Sequence, residues 1–132
     1  MQYDKIHQRE IISELIRWIK NSPTKSLNTI IVARRAGFSR WHLQRLFKEY
    51  TGITLGRYLK AVRLGHAAID LMQTDDPVIN IALLYGYESQ QTFTRAMKCH
   101  IGLNPGTIKR LTPEDKDKLE AVIRELIASV RH

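Results

Sequence analysis

Residues 39–48 read SRWHLQRLFK, and this segment decides the predicted fold. At about 100° per residue in an α-helix, its apolar residues Leu43, Leu46 and Phe47 lie on one side. The opposite side carries an aromatic residue and polar residues: Trp41, Gln44, Arg45 and Lys48. Such a face is either a binding surface or a solvated surface with one stray aromatic residue. The segment alone leaves both interpretations open.

A second copy of this segment shows that the chain contains an internal repeat. VARRAGF at 32–38 aligns with IALLYGY at 81–87, and the extra residue Glu88 then shifts the offset by one, so that SRWHLQRLFK lies over SQQTFTRAMK. The alignment pairs the following residues: Ser39 with Ser89, Arg45 with Arg95, Lys48 with Lys98, and Gly52 with Gly102. Because the two-sided pattern occurs twice, a stray surface aromatic residue is a poor explanation for it.

Each copy has the form of a helix-turn-helix, which is a short helix, a turn with glycine and a second helix. Ala33 and Ala82 provide small side chains where the two helices of each copy cross. Ser39 and Ser89 are placed to cap the second helix of each copy. Since the second helix of this motif enters the major groove of DNA, the repeat predicts two recognition helices.

The predicted fold class is all-α. Apolar periodicity predicts helices at about 6–21, 29–36, 40–50, 57–73, 78–85, 90–101 and 114–130, with breaks near Pro23, Pro77, Pro105 and Pro113. Asp76 is predicted to cap a helix that has Pro77 at its first position, and acids are expected in the first turns of that helix and the last one. Two helix-turn-helix subdomains are predicted at residues 1–56 and 74–110, joined by a linker helix at 57–73. An extra C-terminal amphipathic helix is predicted at 111–132.

The net charge of +8 is unevenly distributed along the chain. Residues 34–63 hold eight Lys and Arg and a single acid, Glu49, whereas residues 64–94 hold four acids and no Lys or Arg. Residues 95–110 again hold four Lys and Arg and no acid. Two basic blocks on either side of an acidic block predict two contacts with a polyanion, which is either a nucleic acid or an anionic membrane surface.

Side chains at the edges of the two outward faces are predicted to contact the DNA backbone, which positions a protein without specifying sequence. Arg57 and Lys60, near the start of the linker helix, belong to the same group. The full predicted backbone set is Ser39, Arg40, His42, Lys48, Arg57, Lys60, Ser89 and Lys98.

The motifs resemble those of the AraC/XylS family of bacterial transcription regulators. The resemblance rests on WHLQRLFK at 41–48, TGITLGRYL at 51–59 and SQQTFTR at 89–95, and covers about residues 8–110. Within the family, the sequence most resembles the stand-alone MarA/SoxS/Rob subgroup. The resemblance implies two helix-turn-helix subdomains joined by a long helix, and base contacts from six residues: Trp41, Gln44, Arg45, Gln90, Gln91 and Arg95.

The resemblance also implies a function. A monomer of this family places both recognition helices in successive major-groove segments of an asymmetric site of about 20 base pairs. Members of the subgroup mostly activate transcription by recruiting RNA polymerase, at genes for stress responses and multidrug resistance. We expect double-stranded DNA and RNA polymerase as partners, with no room for an effector domain. The alternatives are a repressor, or a protein-interaction or antagonist module that binds an acidic partner.

Two substitutions depart from the family pattern without losing apolar character. Met97 stands where an aromatic residue is usual, and Ile108 stands where a tyrosine is common, so packing is expected to change more than DNA contacts. The tail is predicted to form a helix packed on its own domain rather than a dimer or polymerase contact. Its apolar stripe comprises Leu119, Val122, Ile123, Leu126, Ile127 and Val130.

The remaining features predict a soluble cytoplasmic protein that is not an enzyme. Its 132 residues, 43% of them apolar, suit one compact domain or two small lobes. The single cysteine, Cys99, excludes an internal disulfide and is interpreted as a small packing residue rather than a redox switch. No membrane span, signal peptide or catalytic constellation is found. The dispersed residues His7, His42, His66, His100 and His132 predict no metal site, and no cofactor is expected.

Overall fold

The computed structural model describes residues 2–21 and 27–128, with side chains from residue 5 onward. This part of the chain forms helices and no strand, which confirms the all-α prediction. The helices are α1 (Gln2–Asn21), α2 (Thr29–Ala36), α3 (Arg40–Thr51), α4 (Leu55–Gln73), α5 (Val78–Leu84), α6 (Gln90–Ile101), α7 (Pro105–Lys109) and α8 (Pro113–Ala128). Pro23, Val130 and His132, named in the predictions above, lie outside the described residues.

The chain divides into two compact units within α4, between Lys60 and Ala61. In the first unit α1, α2 and α3 pack against one another. Its core includes Ile12 and Ile16 of α1, Leu43 of α3, and the rings of Phe47 and Tyr58, whose centroids are 5.6 Å apart. Burial of these apolar side chains fixes the outward face of α3, because its opposite face is committed to the core.

The core of the second unit is built on the rest of α4. Phe93 and Met97 of α6 pack there with Ile108 of α7, and all three side chains are fully buried. The two departures from the family pattern, at Met97 and Ile108, are therefore core residues, as expected. Beside this cluster the hydroxyl of Tyr85 donates a hydrogen bond of 2.6 Å to Asp70 Oδ2. Burial and this bond raise the pKa of Tyr85.

The turns of the two helix-turn-helix copies have the same backbone geometry. Gly37 and Gly86 both have left-handed backbone angles, with φ of 77° and 85°. The residue after each glycine donates to the buried alanine of the first helix: Phe38 N to Ala33 O at 3.1 Å and Tyr87 N to Ala82 O at 3.0 Å. A left-handed residue that closes such bonds ends a helix sharply, which is why glycine recurs here.

The C-terminal helix α8 packs on the second unit, as predicted. Ile123 joins the core of that unit, and Leu119 and Ile127 pack against it. Gly65 of α4 makes the approach possible, since an added Cβ would lie 2.9 Å from Ile123 Cγ2 and 3.0 Å from Ile127 Cδ1. Gln73 Nε2 of α4 also donates to Glu120 Oε1 of α8 at 2.8 Å. The helix is therefore an integral part of the second unit.

The predicted cap of α5 by Asp76 is wrong, although the helix begins at Val78 as the predicted range 78–85 has it. Pro77 is the N-cap residue, with extended backbone angles, no side chain caps the helix, and its first turn contains no acid. The carbonyl of Pro77 instead accepts the first helical bond, from Ile81 N at 3.3 Å. Lys109 Nζ donates to the carbonyl oxygens of Asp76 at 2.8 Å and Thr74 at 3.4 Å, which holds the preceding segment outside the helix. At α8 the prediction is confirmed, because Glu114 and Asp115 lie in its first turn.

Other boundaries also differ from those predicted. Helix α1 begins at Gln2 rather than near residue 6. Helix α4 begins at Leu55 rather than near residue 57, because the Thr54 hydroxyl accepts a hydrogen bond from Arg57 N at 3.2 Å. The short helix α7 was not predicted; Asn104 caps its start, since Asn104 Oδ1 accepts a hydrogen bond from Thr107 N at 2.9 Å. No helix in the described part of the chain is long and apolar enough to span a bilayer.

Candidate nucleic-acid interface

The outward face of α3 begins at a serine cap. Ser39 Oγ accepts a hydrogen bond from His42 N at 3.1 Å, which satisfies an otherwise unpaired amide and confirms the predicted cap. Leu43, Leu46 and Phe47 are buried beneath the helix. Trp41, by contrast, is 72% exposed, although an aromatic ring of this size gains free energy from burial. The predicted separation of an apolar inner side and an aromatic and basic outer side is confirmed.

Arg45 occupies the centre of this outward face, between two side chains one turn away on either side. Its Cζ lies 5.6 Å from the centroid of the Trp41 ring, within the range of a cation–π contact. Its Nη1 lies 3.7 Å from Glu49 Oε2. From the sequence, Glu49 was noted only as the single acid of the first basic block. The four-residue spacing of Arg45 and Glu49 was the signal that could have revealed the pair.

Other predicted contact residues of the first unit lie at the edges of this face. Gln44 and Arg40 are exposed. His42 is half-buried, with its ring edge-on to Phe38 at 4.9 Å. Lys48 Nζ donates to Gly52 O at 2.8 Å, which caps the C-terminus of α3 and leaves two further ammonium protons.

The outward face of α6 is built in the same way. Ser89 Oγ accepts from Thr92 N at 3.1 Å and caps the helix, as predicted, while Phe93 and Met97 point into the core. The predicted contact residues of this helix other than Ser89 are exposed: Gln90, Gln91, Arg95 and Lys98. On α4, Arg57 and Lys60 are also exposed, one turn apart. Each recognition helix thus presents an arginine and at least one glutamine opposite a buried apolar side.

The prediction for Cys99 is wrong. The residue is exposed on α6 rather than packed, because Met97 occupies the inner side and the residue two positions further along points away from it. Over residues 2–21 and 27–128, no group of three or more His, Cys, Asp or Glu could hold a metal ion.

A helix-turn-helix domain family model matches residues 32–111, which include both motifs. Together with the two outward faces, this match defines the chain as a DNA-binding helix-turn-helix protein. The chain is 43% identical over 107 residues to the right origin-binding protein of Escherichia coli K12, an alignment that covers 81% of this chain and 37% of that protein. It is 42% identical over 99 residues to the regulatory protein SoxS of the same strain, covering 75% of this chain and 92% of SoxS.

The chain belongs to the AraC/XylS family and to its MarA/SoxS/Rob subgroup. Its fold is also similar to the crystal structure of a regulator with an AraC-type DNA-binding domain from Chromobacterium violaceum. That similarity has a TM-score of 0.69 at 27% identity and covers 82% of this chain and 98% of the other. The chain spans a little over a third of the length of the right origin-binding protein.

Proposed function

We propose that this chain is a transcription activator that binds as a monomer to an asymmetric DNA site of about 20 base pairs, with α3 and α6 in successive major-groove segments. One observation carries the proposal: both helices bury one side and expose on the other an arginine and a lysine at equivalent repeat positions, with glutamine beside them. In the same proposal residues 1–56 and 74–110 form the two reading subdomains, 57–73 the linker and 111–132 an added helix.

The chemistry of the two faces supports base recognition. Arginine donates two hydrogen bonds to guanine O6 and N7, and glutamine pairs with adenine N6 and N7. An exposed aromatic ring makes apolar contact with a thymine methyl group. We assign phosphate or mixed contacts to the backbone set given above. We assign base contacts to six other residues: Trp41, Gln44, Arg45, Gln90, Gln91 and Arg95.

The two faces are unequal, which supports an asymmetric site. They share an arginine and a lysine, but Gln91 occupies the position of Trp41 and Thr94 that of Gln44. Two different readers on one chain specify two different half-sites, so a single copy suffices for a complete site. Activation, recruitment of RNA polymerase and targets among stress and multidrug-resistance genes are proposed from the subgroup to which the chain belongs.

Selection from a randomised DNA pool tests the proposal. We expect enrichment of one asymmetric sequence and a gel shift on it that survives excess random competitor DNA. A module that binds an acidic protein, the competing function, would enrich no sequence, and this result would contradict the proposal. Transcription with purified RNA polymerase from a promoter that carries the selected site then separates the regulatory modes, since stimulation supports an activator and inhibition contradicts it.

A further inference from the structure

The contacts of Arg45 with Trp41 and Glu49 raise a problem of charge. At 100° per residue Glu49 lies about 40° around α3 from Arg45, so its carboxylate is on the same side as the proposed base reader. It is the single acid of residues 34–63, and half of its side chain is exposed. A negative charge on a face that approaches DNA phosphates lowers affinity for every DNA sequence. Its position therefore calls for an effect other than affinity.

The distances suggest what that effect is. With Nη1 at 3.7 Å from Glu49 Oε2 and Cζ at 5.6 Å from the Trp41 ring centroid, the Arg45 guanidinium is held along the helix surface. Arginine is otherwise a long, flexible side chain that reaches any nearby phosphate oxygen. A guanine offers two acceptors that match the geometry of the guanidinium group. When the base is wrong, a neighbouring phosphate must compete with Glu49 for the guanidinium of Arg45.

The second repeat provides the contrast. Gln91 stands where the first repeat has Trp41, and Cys99 stands where it has Glu49. Arg95 therefore has neither an aromatic ring four residues before it nor a carboxylate four residues after it on α6. The restraint is a property of the first recognition helix alone.

We infer that Glu49 is a positioning residue that acts through Arg45 to increase DNA sequence discrimination at the cost of total affinity. The inference rests on the proposed function, because it assumes that Arg45 faces a base pair. The effect of Glu49 is measured as the ratio between the affinities of the chain for matched and for mismatched DNA. A helix-stabilising ion pair without this role would leave that ratio unchanged.

The test measures dissociation constants at one salt concentration on three DNAs: the selected site, the same site with the Arg45 base pair changed, and random sequence. We expect E49Q to bind the changed and random DNAs about two- to fivefold more tightly and the selected site with little change, so that discrimination falls. E88Q is the control, because Glu88 is also exposed but lies in the turn before α6, outside any helix. Its effect should be equal on all three DNAs.

The double variant E49Q/R45A shows whether the effect passes through Arg45. We expect no further loss of discrimination when E49Q is added to R45A, as a coupled pair requires. Equal tightening by E49Q on all three DNAs, or an undiminished effect in the R45A background, would overturn the inference while the selected site itself still supports the proposed function. A wild-type chain that selects no site would overturn both.

Discussion

At the residue scale, the glycine in each helix-turn-helix turn has a backbone conformation that other residues rarely adopt. Gly37 has a φ of 77°, and the space where a Cβ would stand is open. Gly37→Ala should therefore lower the free energy of unfolding by about 1–2 kcal/mol through backbone strain alone. Gly56→Ala is the matched control, since this site is also open but lies in the first turn of α4.

Urea unfolding followed by circular dichroism measures both variants. Gly56→Ala should leave stability unchanged or raise it by up to about 1 kcal/mol, because alanine is the better helix former. Equal effects of the two substitutions would contradict the assignment of the turn to a left-handed glycine.

Lys60 represents the proposed phosphate contacts at this scale. Replacing it with alanine should weaken binding to the selected and random DNAs by the same factor and lower the slope of log affinity against log salt by about one. Lys118→Ala serves as the control, because Lys118 is exposed on α8 and lies outside the proposed interface. Its Nζ is 3.6 Å from Glu114 Oε1. A sequence-dependent loss in Lys60→Ala would place this residue at a base instead.

At the element scale, α8 offers two adjacent residues in opposite environments. Ile123 is 2% exposed in the core of the second unit, whereas Val122 is 51% exposed. Ile123→Ala should lower the free energy of unfolding by about 2–4 kcal/mol, since it leaves a cavity against α4. Val122→Ala should change it by less than about 0.5 kcal/mol. Similar values from thermal or urea unfolding would show that α8 is not packed as described.

His66 of α4 links the same region to pH. Burial lowers the pKa of His66 below its ordinary value of 6.5; Asp70 opposes this effect and Arg124 of α8 adds to it. The unfolded chain therefore binds more protons just below pH 6.5, and the free energy of unfolding should fall as the pH is lowered through this window. Unfolding measured between about pH 7.5 and 5.5 should show a flatter pH dependence in His66→Gln. Identical slopes would contradict this account.

Much of the helical architecture follows from the sequence, because the side of a helix that carries Leu43 or Phe93 is decided by the 100° step alone. Local polar contacts account for two of the errors at helix starts. Lys109 holds Asp76 outside α5, and Asn104 starts the short α7, although neither effect alters the apolar periodicity. Among the site residues, the exposed faces were predictable, but the restraint of Arg45 required the distance to Glu49.

At the scale of the whole molecule, the unequal repeats are the basis of the proposed asymmetric recognition. The first copy presents Trp41 and a restrained Arg45, and the second presents Gln91 and Arg95. In the proposed mode of binding, the basic blocks contribute affinity for any DNA, whereas the two arginines contribute sequence preference. Each arginine should therefore govern a different part of one site.

The most direct test compares DNA pools selected by the wild-type chain, Arg45→Ala and Arg95→Ala. We expect each variant to lose preference at one position, by about 1–3 kcal/mol, with the two positions in different halves of the site and the other half unchanged. Both variants losing affinity equally for selected and random DNA would contradict base recognition by the two helices.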